Sequence, residues 1–136
     1  MKVLIVDDHL MLRKGVLSVL SNSDLEVVGE ASNGQEALEL VPKLKPDLVL
    51  MDINMPVLDG VEATKKLKQM YPDLKVVILT VSEIDKDLFE AIKAGADGYL
   101  LKNLGPEELV SSLRAAISGE APISSVMAAK MLKEFR

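Results

Sequence analysis

Cysteine and tryptophan are missing from this sequence, and tyrosine and phenylalanine occur only twice each. Without cysteine there is no disulfide framework, no thiolate metal site and no cysteine nucleophile, a usage that fits a reducing compartment. With so few aromatics, stacking of bases or sugars is poorly supplied. A surplus of positive charge is also missing, since 16 Lys and Arg stand against 21 Asp and Glu for a formal net charge of −5. Nucleic-acid phosphates are held by clustered Lys and Arg, so this segment is not expected to hold DNA by itself. No apolar run is long. The opening MKVLIVDDH sets four apolar residues before two acids, too few for a signal peptide or a membrane span. A cytoplasmic protein with no membrane partner is expected. At 136 residues the chain suits one domain that buries roughly two-thirds of the surface exposed when unfolded.

What the sequence does contain is a set of short apolar runs that each end in a polar residue. VLIV (3–6) leads into Asp7 and Asp8, LVLM (48–51) into Asp52, VVIL (76–79) into Thr80, and YLL (99–101) into Lys102. Such runs read as strands of a parallel sheet buried on both faces, and ligands of these sheets bind outside the carboxyl ends of the strands. Three carboxylates, a hydroxyl and an ammonium are thereby expected to converge.

Between the runs the spacing turns helical. Leu12, Val16, Leu17 and Leu20 share one face of a helix over residues 11–20. LEVVGE (25–30) reads as a second strand, and Asn33-Gly34 opens a helix through Ala37, Leu38, Val41 and Leu44 that Pro42 should kink or end early. A loop with Met55-Pro56 and Asp59-Gly60 precedes a helix stopped by Tyr71-Pro72-Asp73, another helix is expected over residues 83–94, and Pro106 suits the first turn of one running to about Ser118. The pattern is βα repeated five times. Short right-handed connections favour an α/β fold with a doubly wound, five-stranded parallel sheet of flavodoxin-like (βα)5 type, strand order 2-1-3-4-5. That order sets strand one beside strand three at the switch point, with Asp7, Asp8 and Asp52 flanking one crevice.

After residue 118 the pattern stops. Gly119-Glu120-Ala121-Pro122 reads as a linker, and residues 124–136 as a short amphipathic piece carrying Met127, Met131, Leu132 and Phe135. Such a piece either docks back on the body or begins a connection to something further, and the second reading is favoured.

Two adjacent carboxylates plus a third at the next strand end repel one another unless a cation sits among them. An oxygen-only set suits a hard divalent ion, most simply Mg²⁺. Without the metal, at least one carboxylate should carry a raised pKa. With the cluster neutralised, Asp52 becomes the candidate nucleophile for phosphorus, Lys102 the charge that steadies a transferring phosphoryl group, and Thr80 a hydrogen-bond donor to it.

At these residues the chain resembles the receiver domain of bacterial two-component response regulators. The resemblance rests on Asp7-Asp8, the segment from Asp52 through Asn54 and Pro56 to Asp59-Gly60, Thr80, the Ala94-Gly95-Ala96 turn before Tyr99, and Lys102. It implies that Asp52 accepts a phosphoryl group from a histidine kinase, that Asp8, Asp52 and the backbone carbonyl of Asn54 bind Mg²⁺, and that Asp7 assists through water. It also implies a switch in which Thr80 moves toward the phosphoryl group and Tyr99 turns inward behind it. A receiver–receiver homodimer on phosphorylation is expected with it. The opening and residues 119–136 look like regulators of the NarL/FixJ (LuxR-type) class. Residues 1–118 are then the receiver and 119–136 a linker with a short helix leading toward a helix-turn-helix output domain, through which alone DNA would be bound and transcription regulated.

Two positions depart from the family. Many receivers place a proline in a cis bond after the lysine, whereas here Asn103 follows Lys102, and a cis peptide there would cost about 3 kcal/mol. Val81 stands where a small residue is usual, and is expected to narrow the approach to Asp52 and lengthen the life of a phosphoryl group on it.

Taken singly, each residue has an ordinary explanation. Asp7 and Asp8 could cap a helix, Thr80 could bond locally, Lys102 could be solvated, Tyr99 could be a half-buried strand aromatic, and His9 reads as a partly exposed helix-start residue. Only the constellation carries the functional reading. A phosphatase working through an aspartyl phosphate needs a second acid two residues after the nucleophile, where this chain has Asn54, so the domain is expected to be a phosphoacceptor and not an enzyme. A phosphate-independent interaction module is the other alternative.

Overall fold

A computed structural model describes all 136 residues. Strands β1 (Lys2–Val6), β2 (Glu26–Ala31), β3 (Leu48–Met51), β4 (Lys75–Thr80) and β5 (Gly98–Leu101) alternate with helices α1 (Leu10–Ser21), α2 (Gly34–Leu44), α3 (Gly60–Met70), α4 (Asp85–Lys93), α5 (Pro106–Ile117) and α6 (Ser125–Glu134). All strands pair in parallel in the order β2-β1-β3-β4-β5, the order expected. The β-branched and aliphatic runs place every residue of β3 and β5 in the interior.

Period-two alternation divides the core between the two faces of the sheet. On one side Val3, Ile5, Leu48, Leu50, Val77, Leu79 and Leu100 pack with Val16 and Leu20 of α1 and with Leu109, Leu113 and Ala116 of α5. On the other, Leu4, Val6, Val49, Met51, Val76, Ile78 and Tyr99 pack with Ala37 and Val41 of α2, Ala63 and Leu67 of α3, Leu88 and Ala91 of α4, and Met127 of α6.

Local chemistry sets the helix starts. The Asn33 side chain accepts the Glu36 amide at 2.9 Å while Glu36 accepts from the Ser32 amide and hydroxyl, a reciprocal cap on α2. Asp59 caps α3 by accepting the Glu62 amide at 2.9 Å, and Pro106 occupies the first turn of α5, where its missing N–H costs nothing. The helix bounds differ from expectation by one or two residues, except that α2 continues through Pro42 to Leu44. Pro42 removes one internal hydrogen bond within the last turn, and Lys45 closes the helix in the left-handed region at φ 49° with its amide on the Val41 carbonyl.

The terminal segment docks back on the body, a contact compatible with its leading onward. The Tyr99 amide donates to the Pro122 carbonyl at 2.9 Å and the Ser124 amide to the Tyr99 carbonyl at 3.2 Å. Ile123 thus pairs with Tyr99 in parallel outside β5, and Met127 is fully buried. Met127 of this amphipathic piece is part of the main core.

One residue works against its own conformational preference. Val57, in the loop between β3 and α3, has φ 69° and a side chain 80 % exposed, so its β-branched carbon gains no packing in return for left-handed strain. Val57→Gly is expected to stabilise the fold by about 1 kcal/mol and raise Tm by roughly 3 °C. Thermal denaturation of the two proteins checks this, and an unchanged or lowered Tm refutes it.

Candidate functional site

Asp7, Asp52 and Lys102 sit one residue beyond β1, β3 and β5, Thr80 closes β4, and the sheet's own ladder holds them there. The Asp7 amide donates to the Ala31 carbonyl at 3.0 Å, the Asp52 amide to Val6 at 2.9 Å and the Lys102 amide to Thr80 at 2.9 Å. Strand pairing therefore continues past each apolar run and delivers Asp7, Asp52, Thr80 and Lys102 to one edge. The chain leaves Asp52 through a tight loop in which the Gly60 amide donates to the Ile53 carbonyl at 2.8 Å. A Cβ on Gly60 would lie 1.8 Å from the Asp52 carbonyl oxygen, so only glycine lets α3 start this close behind the acid.

The Lys102 ammonium lies between two of the acids. Its Nζ donates to Asp7 Oδ2 at 2.9 Å and to Asp52 Oδ2 at 3.1 Å. Asp7 and Asp52 are only 4 % and 5 % exposed. The remaining oxygens are partly engaged: Asp52 Oδ1 accepts the Ile53 amide at 2.8 Å, and Asp7 Oδ1 accepts the His9 amide at 2.8 Å. Burial pushes the Asp52 carboxyl above its ordinary value, and although the Lys102 charge opposes this, the nearby Asp7 adds to it and the net shift is upward. Burial alone would depress Lys102, but its hydrogen bond to Asp7 and the charge of Asp52 outweigh that and hold it above its ordinary value.

Asp8 is more open than its neighbour, and its carboxylate meets His9 Nδ1 at 3.2 Å. Asp7, Asp8, His9 and Asp52 each offer a ligand atom, all within 4.8 Å of one another. The Asn54 carbonyl accepts no hydrogen bond from the chain, which leaves it free as a further oxygen donor. The clustered carboxylates of Asp7, Asp8 and Asp52 fit a hard divalent cation, with His9 at their rim. His9 itself begins α1 with a largely exposed ring.

Thr80 is fully buried, and its Oγ1 accepts the Ser82 amide at 3.3 Å while donating to no protein atom. Tyr99 is inward, fully buried, with its hydroxyl donating to the Ser82 carbonyl at 3.0 Å, and burial pushes its pKa up to about 12. Ser82 was not read from the sequence. It joins these two residues and also donates through Oγ to Asp87 at 2.5 Å, and its only sequence signal is a small polar residue just past a strand end. All peptide bonds are trans, including Lys102–Asn103.

Residues 3–114 match the response regulator receiver domain. The chain belongs to that family. Among curated proteins this receiver is 44 % identical to the nitrate/nitrite response regulator NarL of Escherichia coli strain K12 over 126 residues, 92 % of the chain and 58 % of NarL. It is 44 % identical to the response regulator GacA of Pseudomonas aeruginosa over 137 residues, 99 % of the chain and 64 % of GacA. The chain thus spans about three-fifths of the length of these relatives. A two-component response regulator of the LuxR family from Aurantimonas superimposes with a TM-score of 0.91 at 31 % identity, over 98 % of this chain and 96 % of that one. The isolated receiver domain of RcsB from Salmonella enterica, solved with the phosphomimetic BeF3⁻, gives 0.86 at 26 % identity over 96 % and 97 % of the two chains. No helix of the receiver is long and apolar enough to cross a membrane.

Because the folded state raises the Asp52 pKa, ionised Asp52 opposes folding at neutral pH, and the opposition fades as pH falls through that raised value. In metal-free buffer Asp52→Asn is therefore expected to melt roughly 3 °C above wild type at pH 7, with the gap closing on acidification. Melting curves from pH 7 to pH 4 test it, and a variant less stable at pH 7 contradicts it.

Proposed function

We propose that this receiver takes a phosphoryl group onto Asp52 from the phosphohistidine of a kinase, in a Mg²⁺-dependent reaction, and that the resulting change controls a DNA-binding output and hence transcription. The observation that carries the reading is the Lys102 ammonium held 3.1 Å from Asp52 Oδ2 and 2.9 Å from Asp7 Oδ2 at the carboxyl edge of the sheet. Asp7, Asp8, Asp52 and the Asn54 carbonyl would hold the metal. Bound there, Mg²⁺ supplies positive charge to the acidic cluster and to the oxygens of the phosphoryl group.

The chain's own residues account for the rest. A lone pair of the Asp52 carboxylate forms the O–P bond as the P–N bond of the donor breaks and its imidazole leaves. Lys102 is already positioned to take charge on the transferred oxygens, since its ammonium touches the nucleophile before reaction. Thr80 has a hydroxyl proton free for a phosphoryl oxygen. Asn54, an amide two residues after the nucleophile, cannot supply the proton that a turning-over phosphatase needs, so the domain catalyses only its own phosphorylation and dephosphorylation.

Met11, Val57, Val81 and Ile84 are strongly exposed apolar residues, and all lie where the chain leaves the carboxyl edge. Exposed apolar side chains around a reactive centre suit a protein partner that must bring its phosphohistidine close. A second receiver is the other partner we assign, and DNA is bound only through an output domain. Among the structural relatives, RcsB is known as two dimers bound to two parallel DNAs.

Incubation with acetyl phosphate and Mg²⁺, read by intact mass, tests the reading. A gain of about 80 Da that requires Mg²⁺ and is lost in Asp52→Ala is expected. No gain in a folded protein would favour a phosphate-independent interaction module. Val81 directly follows Thr80 and is 73 % exposed, and we assign it to the approach to Asp52. Val81→Ala is expected to shorten the phosphoryl lifetime roughly threefold, read as decay of the mass adduct after the donor is removed. An unchanged decay would clear Val81 of that role.

A further inference from the structure

The terminal segment covers the one strand whose side chain is tied to the loop behind Thr80. In the order β2-β1-β3-β4-β5, β5 is an edge strand, and a tyrosine there would ordinarily have solvent on its open side. Tyr99 has none. The missing cover comes from residues 122–134. Pro122 and Ser124 engage both backbone groups of Tyr99, Met127 lies in the same buried cluster as Tyr99, Leu88 and Ala91, and Ile123 and Met131 pack against it. Lys130 Nζ also reaches Asp85 Oδ1 in the first turn of α4 at 2.6 Å. The fit is close, because a Cβ on Gly98 would lie 2.6 Å from the Pro122 carbonyl oxygen and 2.9 Å from Pro122 Cγ.

We infer that the docked segment 122–134 holds Tyr99 in its inward position, so that docking of α6 and the placement of the β4–α4 loop are two readings of one equilibrium. The contacts run without a break from the Thr80 hydroxyl to the Ser82 amide, from the Ser82 carbonyl to the Tyr99 hydroxyl, and from the Tyr99 backbone to Pro122 and Ser124. Ile123 and Met127 pack in the same cluster as the inward Tyr99. Coupling of this kind is reciprocal, so whatever draws Tyr99 inward must also tighten α6. The segment therefore does more than connect the receiver to an output. It carries the state of the loop behind Thr80 to the chain's carboxyl end.

The chain has two tyrosines and no tryptophan, which makes fluorotyrosine labelling a direct report. Fluorine NMR of the full chain, with no phosphodonor present, would compare wild type with Gly98→Ala and Met127→Lys, while hydrogen exchange reads protection of the α6 amides. Both variants should lower that protection about tenfold or more and shift or broaden the Tyr99 resonance, leaving Tyr71 as the internal control. A Tyr99 resonance that stays put while α6 loses protection overturns the inference. So does an α6 that stays protected in both variants, since neither contact would then hold it. A further arm rests on the proposed phosphorylation of Asp52. Protein shown by mass to carry the phosphoryl group should exchange its α6 amides about fivefold more slowly, and equal or faster exchange overturns the coupling. If the mass gain itself is absent, that reading of Asp52 fails and the tyrosine comparison decides this one alone.

Discussion

The arrangement turns on the crowding of like charge at one sheet edge. Asp7 and Asp52 are buried side by side, and a single ammonium, Lys102, bridges their carboxylates there. Lys102 is 95 residues from Asp7 and 50 from Asp52, so the contact exists only because parallel pairing in this order brings the ends of β1, β3 and β5 together. One cation serves two buried acids, and burial, with the nearby Asp7 adding to it, keeps the Asp52 carboxyl above its ordinary value against the pull of Lys102. A site built this way is poised to accept more positive charge, and its readiness is held at the expense of fold stability.

Much of this was legible in the sequence because it is written locally. Four apolar runs marked four of the five strands and LEVVGE the other, the polar residue closing each run marked the site, and helical spacing showed which helices exist. Asp7, Asp52, Thr80 and Lys102 could be read together because a parallel ladder puts the residue that closes or directly follows each strand at the edge whatever its neighbours are. Gly60 could be seen as a turn residue, but not as the only residue that fits against the Asp52 carbonyl.

What was missed depends on contacts that no local pattern records. Ser82 matters through its amide, carbonyl and hydroxyl, and a short polar residue after a strand has many ordinary uses. The docking of residues 122–134 depends on Gly98 leaving room for Pro122, and on Met127 filling a core whose vacancy is invisible in the spacing of α6. Val57 shows the opposite case. Its type argues against the conformation that the loop imposes, and the loop prevails because it is fixed at both ends, by Asp52 on β3 and by the cap on α3.

The strand-like pairing of Ile123 with Tyr99 has another consequence, for solubility. An uncovered edge strand offers unpaired amides and carbonyls to any other chain, and proteins with such edges tend to add strands from their neighbours and aggregate. Here the outward-facing amide and carbonyl of Tyr99 are both engaged from within the chain. On this side of the sheet, colloidal behaviour is therefore governed by residues beyond the (βα)5 unit, and boundaries drawn at residue 118 would cut through the element that keeps the sheet closed to its own kind.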